Sequence, residues 1–294
     1  MREAIAEPIS TAYGLVRLSR SRMCRGLGIP RSWLYREPRS TARPGDEEIV
    51  RAIQRIKKVH RYGYRRVAKA LRKRHKRTAP KIVNHKRILR IMRAHGMTEK
   101  PRKRYRWRGT SRAAVDYGNA PQGIAPSRPN QMWFSDFTQV PIFSRPAYVA
   151  IVEDGFSRRC IGWNVHSRHN LDLTLPALRM ALVTRRPKPG FVHHSDQGSE
   201  YMAFDYVGLV EEHGGVPSAS RKGTPTDNPF CESFIKTLKH EKLLDHEYSS
   251  IDELRDVVRK FVKLYNEERI HSSLGDRSPA EFERTYYAAR KRQP

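Results

Sequence analysis

The spacing of apolar positions changes character along this chain. Between residues 46 and 98 apolar side chains recur every three or four positions. Ile49, Ile53, Ile56 and Val59 form one run, Val67, Ala70 and Leu71 a second, and Ile88, Leu89, Ile91 and Met92 a third. That period predicts helices with one buried face. Asp46, Glu47 and Glu48 favour the amino end of the first helix, and Tyr62-Gly63-Tyr64 separates it from the second. Asn84 can cap the third helix and Gly96 can stop it. From residue 132 onward the pattern becomes short apolar runs. Those at about 132–138, 147–153 and 159–165 predict three consecutive strands, with turns at Pro141 and at Asp154-Gly155. Leu171 to Leu182 then reads as a helix, Gly190–His194 as a fourth strand, Phe204 to Glu212 as a helix and Val216–Ala219 as a short fifth strand. A helix around Phe230–Lys239 follows. A last long helix bears Leu254, Val257, Val258, Phe261 and Leu264, opened by a capping box of Ser250 and Glu253. The pattern predicts an α/β domain with a five-stranded mixed sheet flanked by helices, preceded by an all-α region.

Upstream of the periodic helices, residues 15–36 read as a helix-turn-helix. Gly28 fits its tight turn and Pro30 the first turn of its second helix, Arg31–Arg36. Cys24 reads as a small core residue there. The expected organisation is a helix-turn-helix-like segment over 1–45, a helical basic region over 46–98 and a basic linker over 99–130. A catalytic-type domain over 131–285 and a basic tail over 286–294 complete it.

Charge sharpens this division. The formal net charge is +28; residues 1–130 hold 35 Lys/Arg against 8 Asp/Glu, whereas residues 131–294 hold 23 against 22. A basic half followed by a near-neutral domain marks the first part as nucleic-acid binding. Within the linker, Lys100–Arg108 carries six positive charges interleaved with Tyr105 and Trp107, which suits either a solvated tether or a segment lying along DNA. Arg102, Lys103 and Arg104 are its candidate phosphate contacts. Three widely spaced cysteines, Cys24, Cys160 and Cys231, support neither a disulfide framework nor a structural zinc site. No apolar run approaches the ~18 residues of a membrane span, and no signal-peptide pattern opens the chain. A cytoplasmic protein, with no membrane partner, is expected.

The candidate chemistry sits where polar residues interrupt the apolar runs. Asp136 lies inside the aromatic-rich strand Gln131–Thr138, and Asp196 follows the strand ending His193-His194-Ser195. Glu232 opens a helix that follows the Gly/Pro-rich loop Ser220–Asp227. At 100° per residue, Lys236 and Lys239 fall within about 40° of Glu232, while Phe230, Phe234 and Leu238 lie on the opposite side. That helix therefore presents one carboxylate and two ammonium groups away from its apolar stripe. Carboxylates at two strands and a helix start can converge on a hard divalent cation such as Mg²⁺. Two such ions about 4 Å apart can clamp an in-line phosphoryl displacement. Each residue alone has a plainer reading: Asp136 as an exposed strand residue, Asp196 as a turn residue, Glu232 as a charge favoured by the helix dipole. Asn228 is read first as a cap and second as a site residue. Adjacent strand residues face opposite ways, so His194 is read as lining the site and His193 as packing.

The ordered motifs carry more than any single residue. Trp133-x-x-Asp136-x-Thr138, Asp154-x-Phe156-Ser157-Arg158-Arg159, His194-Ser195-Asp196-Gln197-Gly198, Ser220-Arg221-Lys222-Gly223, Asp227-Asn228, Glu232-Ser233, Lys239 and Tyr265-Asn266-x-x-Arg269-x-His271 occur in that order. Asp136 and Asp196 are separated by 59 residues, Asp196 and Glu232 by 35. In these blocks the chain resembles the second reading-frame product of the IS3-type insertion sequences, a DDE transposase with a retroviral-integrase-like core. The resemblance implies an RNase H-like fold, in agreement with the strand and helix order. It also implies Asp136, Asp196 and Glu232 as catalytic metal ligands for Mg²⁺ or Mn²⁺, with two ions per site. DNA contacts are implied at Lys239, Lys236, His194, Asn228, Arg221 and Lys222. The partners implied are double-stranded transposon ends and target DNA, further copies of the chain in a synaptic complex, and an upstream-frame fusion partner. The setting implied is the bacterial nucleoid. The amino-terminal zinc module of retroviral integrases has no counterpart here, and Tyr62–Arg66 resembles a second helix-turn-helix of the family. Three alternatives stay open on the sequence: an RNase H-like nuclease that cuts without joining, a domesticated DNA-binding protein, and an assembly subunit whose partner does the chemistry.

Overall fold

The computed structural model describes residues 9–11, 14–16, 20–26, 28, 46–74, 84–99, 126–143, 145–220, 228–243 and 246–291. Two short strands, β1 (Ile9–Thr11) and β2 (Gly14–Val16), pair antiparallel, and α1 (Arg20–Gly26) follows with Cys24 buried. Residues 14–16 are thus strand, so a helix-turn-helix cannot begin at residue 15. Their alternation is too short to distinguish a strand from a helix by period. Gly28 does turn the chain, at φ 63°, with its N–H donating to the Arg25 carbonyl. Pro30–Arg36 lies outside the described residues, as does 100–125, which contains Arg102, Lys103 and Arg104.

The helical basic region forms as its period demands. Helices α2 (Asp46–Val59), α3 (Tyr64–Arg74) and α4 (His85–Ala94) bury Ile49, Ile53, Ile56, Val67, Leu71, Ile88, Ile91 and Met92 against one another. Asn84 caps α4 by accepting the Lys86 N–H at 2.9 Å, and Gly96 follows it at φ 63°. Part of the basic charge is used internally. Asp46 takes Arg87 and Arg90 in ion pairs of 2.7 and 2.6 Å.

The larger unit is built on β3 (Met132–Ile142), β4 (Arg145–Asp154), β5 (Cys160–His166), β6 (Val192–Ser195) and β7 (Val216–Ala219). Their order across the sheet is β5-β4-β3-β6-β7, with β3, β4 and β5 antiparallel and β6 and β7 parallel additions. This is the RNase H-like arrangement. Pleating sends alternate residues of β3 into two cores. Trp133 faces α5 (Leu171–Arg185) and α6 (Phe204–Glu212), while Met132 and Phe134 face α7 (Pro229–Leu238) and α8 (Ile251–Glu267). Gly162 lets α5 lie close to β5, since a Cβ there would stand 2.1 Å from the Ala177 carbonyl oxygen. Pro141 lies within β3 opposite Pro146, not in a turn. Strand β6 pairs only with Met132–Phe134, so β3 is an edge by Pro141, and an edge tolerates a residue without an N–H. Ser250 accepts the Glu253 N–H at 3.1 Å, but Glu253 returns its bonds to Ser249, completing the capping box one residue early.

A final helix, α9 (Pro279–Arg290), absorbs most of the expected tail. Ser278 caps it, Pro279 suits its first turn, and Tyr286 packs edge-on against Phe156. Its buried Glu283 accepts bonds from Ser157, Arg159 and Arg185, tying the β4–β5 turn and α5 to the carboxy-terminal helix.

The helical region docks onto this unit through its own core. Ile270 joins the α2–α4 cluster, and the Tyr62 hydroxyl accepts the Ile270 N–H at 3.0 Å. Lys69 pairs with Asp276, Lys73 with Glu281, and the Arg61 guanidinium donates to the His240 carbonyl. His240 belongs to a π-helical turn, Lys239–Leu243, that extends α7. Buried Glu241 in that turn accepts both Arg269 Nε and Nη2 at 3.0 and 2.8 Å. Removing one partner would strand the other charge in the interior. Arg269→Met should therefore destabilise the protein by about 3–5 kcal/mol, and adding Glu241→Leu should restore much of it. Denaturant unfolding of the single and double variants measures both effects.

Candidate active site

Asp136 sits on β3 two residues beyond Phe134, on the same pleat face, which α7 covers. The parallel pairing of Phe134 with His194 brings the end of β6, and hence Asp196, alongside. The start of α7 is tied to β3 directly, because Asn228 Nδ2 donates to the Ser135 carbonyl at 2.9 Å. Three elements thus deliver three acidic side chains to one end of the sheet.

Their charges meet there. Asp136 is half-buried, and its pKa is pushed up to about 8. Loss of water is the largest cause, the Asp196 carboxylate the next, and Glu232 adds to both. The Phe137 N–H, bound to Oδ1 at 2.7 Å, and the Lys239 ammonium oppose the rise. Asp196 is also raised, by desolvation and by the charge of Glu200, against the Gly198 N–H that donates to its Oδ1 at 3.0 Å. Lys239 is half-buried; desolvation lowers its pKa and Asp136 works against this. Glu232 and Lys236 are exposed on α7, with Phe234 and Leu238 buried behind them. The orientation expected from helical angles therefore holds.

Other candidates are placed differently. His194 is buried in the interior, its ring nitrogens 2.9 Å from Ser218 Oγ and Ser220 Oγ, and it packs edge-on against Phe134. It supports the site from within and presents no surface to DNA. His193 turns to the other face, bonded to Ser135 Oγ and Tyr206 OH. Asn228 occupies the cap position without a capping bond and is buried as a tie to β3, also away from DNA. Arg221, Lys222 and Asp227 lie outside the described residues. Sequence reasoning overlooked Glu200, which bears on Asp196 electrostatically and lies 3.7 Å from His169 Nδ1. His169 in turn stacks parallel to Phe137, the neighbour of Asp136. The only signal was the position of Glu200 four residues after Asp196.

The donors at this point are carboxylate oxygens, the ligand type of Mg²⁺ or Mn²⁺. After the loss of water, the neighbouring like charges add to the rise at Asp136, and a divalent ion would relieve that repulsion. The donor chemistry fits such an ion. Among the described residues, no three His, Cys, Asp or Glu side chains already stand close enough to hold one.

Comparisons with known proteins agree in outline. Two models described as Integrase core domain match residues 126–225 and 214–279, and one described as HTH-like domain matches residues 44–105. The 31 kDa protein of insertion element IS600 from Shigella sonnei is 34% identical over 276 residues, covering 90% of this chain and 98% of that protein. The transposase for IS904 from Lactococcus lactis is 33% identical, covering 82% and 98%. That for IS629 from Shigella sonnei is 32% identical, covering 86% and 84%. Among solved structures, the catalytic core domain of HTLV-2 integrase in complex with magnesium is 16% identical with a TM-score of 0.41, over 53% of this chain and 98% of that one.

The electrostatics yield a testable dependence on pH. A carboxyl raised in the fold above its unfolded value near 3.8 contributes stability that is present at low pH and lost as pH rises toward 8. Metal-free protein should lose stability over that window. Asp136→Asn should be the more stable form at pH 8, by a few kcal/mol since each unit is about 1.36 kcal/mol, and the gap should close toward pH 4. Thermal unfolding across the window, in chelator, measures it.

Proposed function

The chain belongs to the IS3-type insertion-sequence transposases, and we propose that it cleaves and joins DNA at transposon ends through Asp136, Asp196 and Glu232. The family is one of polynucleotidyl transferases. The observation that carries the finer reading is the convergence of Asp196, Glu232 and Lys239 on Asp136, each close enough to act on its charge, at one end of the sheet.

Asp136, Asp196 and Glu232 would hold two divalent ions between them. The chemistry that Mg²⁺ or Mn²⁺ supplies when bound is activation of a water or 3′-hydroxyl nucleophile and neutralisation of charge on the departing 3′-oxygen. The protein's own part begins with Asp136, whose raised pKa means that a proton is given up as the site is loaded. Lys239, beside Asp136, is suited to a phosphate next to the scissile bond, and exposed Lys236 on the same helix face to the neighbouring backbone. Phe234, Leu238 and the Asn228 tie keep that face turned outward.

DNA is held mainly by the amino-terminal half, where residues 1–130 carry 35 Lys/Arg against 8 Asp/Glu. Phosphate contact of this kind positions a duplex without reading sequence. Choice of ends is assigned to an upstream-frame fusion partner, and end joining to several copies of the chain in a synaptic complex.

The test uses DNA ends from the sequence flanking the gene, Mg²⁺ or Mn²⁺, and this chain alone or fused to the upstream frame. Asp196→Asn and Glu232→Gln should each lower cleavage and joining by about a hundredfold or more. Both should leave DNA binding intact, with log affinity falling against log salt at about −0.9 per neutralised phosphate. Joining by the chain alone would make it self-sufficient, and joining only by the fusion would make it the catalytic half. Cleavage without joining would favour the nuclease, and inactivity in every form the DNA-binding protein.

A further inference from the structure

The first turn of α7 begins at Pro229, which suits that position, but it lacks a side-chain cap. Asn228 makes no capping bond with its side chain; Nδ2 is committed to Ser135, and Oδ1 is buried without a partner. Aromatic packing adds to what holds the turn that carries Glu232. Phe230, two residues earlier, stacks on Phe134 of β3 with ring centroids 4.3 Å apart. The guanidinium carbon of Arg158 lies 3.8 Å from the Phe230 centroid, within range for a cation–π contact.

Arg158 is itself constrained. It occupies the β4–β5 turn at φ 62°, with its N–H donating to the Asp154 carbonyl at 2.8 Å. Its Nη1 lies 3.9 Å from Oε1 of Glu153, a residue 1% exposed. The turn also presses on the same aromatic pair, because a Cβ on Gly155 would stand 2.6 Å from Phe134 Cε2. The β4–β5 turn, Phe134, Phe230 and the Arg158 guanidinium therefore pack as one stack, with Glu153 beside the cation.

We propose that Arg158 is a positioning residue for Glu232: by clamping Phe230 onto Phe134 it fixes the first turn of α7, and with it the direction of the Glu232 carboxylate toward Asp136 and Asp196. This rests on the reading of Glu232 as a metal ligand. Arg158 acts through the helix and needs no contact with metal or DNA. A point charge on a flexible stem would do this poorly, because the planar guanidinium provides the stacking surface.

The experiment titrates Mg²⁺ into metal-free protein and follows the rise in unfolding temperature, which reports binding to the folded state. Arg158→Asn is the main variant, since asparagine accepts a left-handed backbone better than most residues. Phe230→Leu removes the other half of the clamp and decides the question if Arg158→Asn does not fold. Both should require about tenfold more Mg²⁺ for the half-maximal rise, the size of effect typical when a supporting group behind a metal ligand is lost. Arg158→Lys should fall between these and the wild type. End cleavage should show the same displacement of its Mg²⁺ midpoint and recover toward the wild-type rate at saturating Mg²⁺, with salt-dependent DNA binding unchanged. A folded variant that keeps the wild-type midpoint overturns the positioning role. Glu232→Gln separates the two levels: if its midpoint equals the wild type, the reading of Glu232 as a ligand fails instead.

Discussion

A carboxylate largely removed from water, Asp136, with further negative charge brought beside it, is the constraint around which the larger unit is built. A carboxylate whose proton affinity is raised by a neighbouring carboxylate will move away from it unless the backbone holds both, and flexible loops would let them part. Here Asp136 is fixed by a strand paired on both sides nearby, and Asp196 follows a strand in register with it. Buried Trp133 and Phe134 flank that pairing on the two faces of the sheet. The cost of the arrangement is met by packing distributed over two cores rather than by any local partner. Lys239 acts on Asp136 as a cation, and it comes from the far end of the helix that begins near Glu232.

The same helix connects the site to the rest of the chain. Beyond Lys239 it widens into a π-helical turn, where Glu241 meets Arg269 in the interior and the His240 carbonyl accepts Arg61 of the helical region. Tyr62 then bonds the Ile270 backbone, next to Arg269. The seam between the basic region and the sheet domain is thus built on the continuation of α7. A widened turn at that position is a known device for re-aiming a helix near a functional site.

Much of this was legible from spacing alone. The helical period gave α2, α3 and α4 with their buried isoleucines, and it separated the apolar stripe of α7 from Glu232, Lys236 and Lys239. Helix α6 and strand β7 fall on the residues expected for them. What spacing could not convey depends on partners distant in sequence. His194 faces the interior because Ser218 and Ser220 on the adjoining strand and its continuation meet its ring, and Asn228 turns from cap to cross-tie because the Ser135 carbonyl is within reach. Pro141 stays in a strand because β6 stops short of it. Glu200 gains its influence on Asp196 only through the turn at Gly198, where both side chains approach the missing Cβ.

The pairs Lys69–Asp276 and Lys73–Glu281 join lysines of the basic amino-terminal half to acidic groups of the carboxy-terminal half. Both are partly exposed, so dissolved ions screen them as they screen contacts to phosphate. Ionic strength consequently acts on two attachments together, that of the protein to a duplex and that of its basic region to its own sheet domain. A rise in salt would loosen the intramolecular tether in step with the release of DNA, whereas a dilute medium would tighten both.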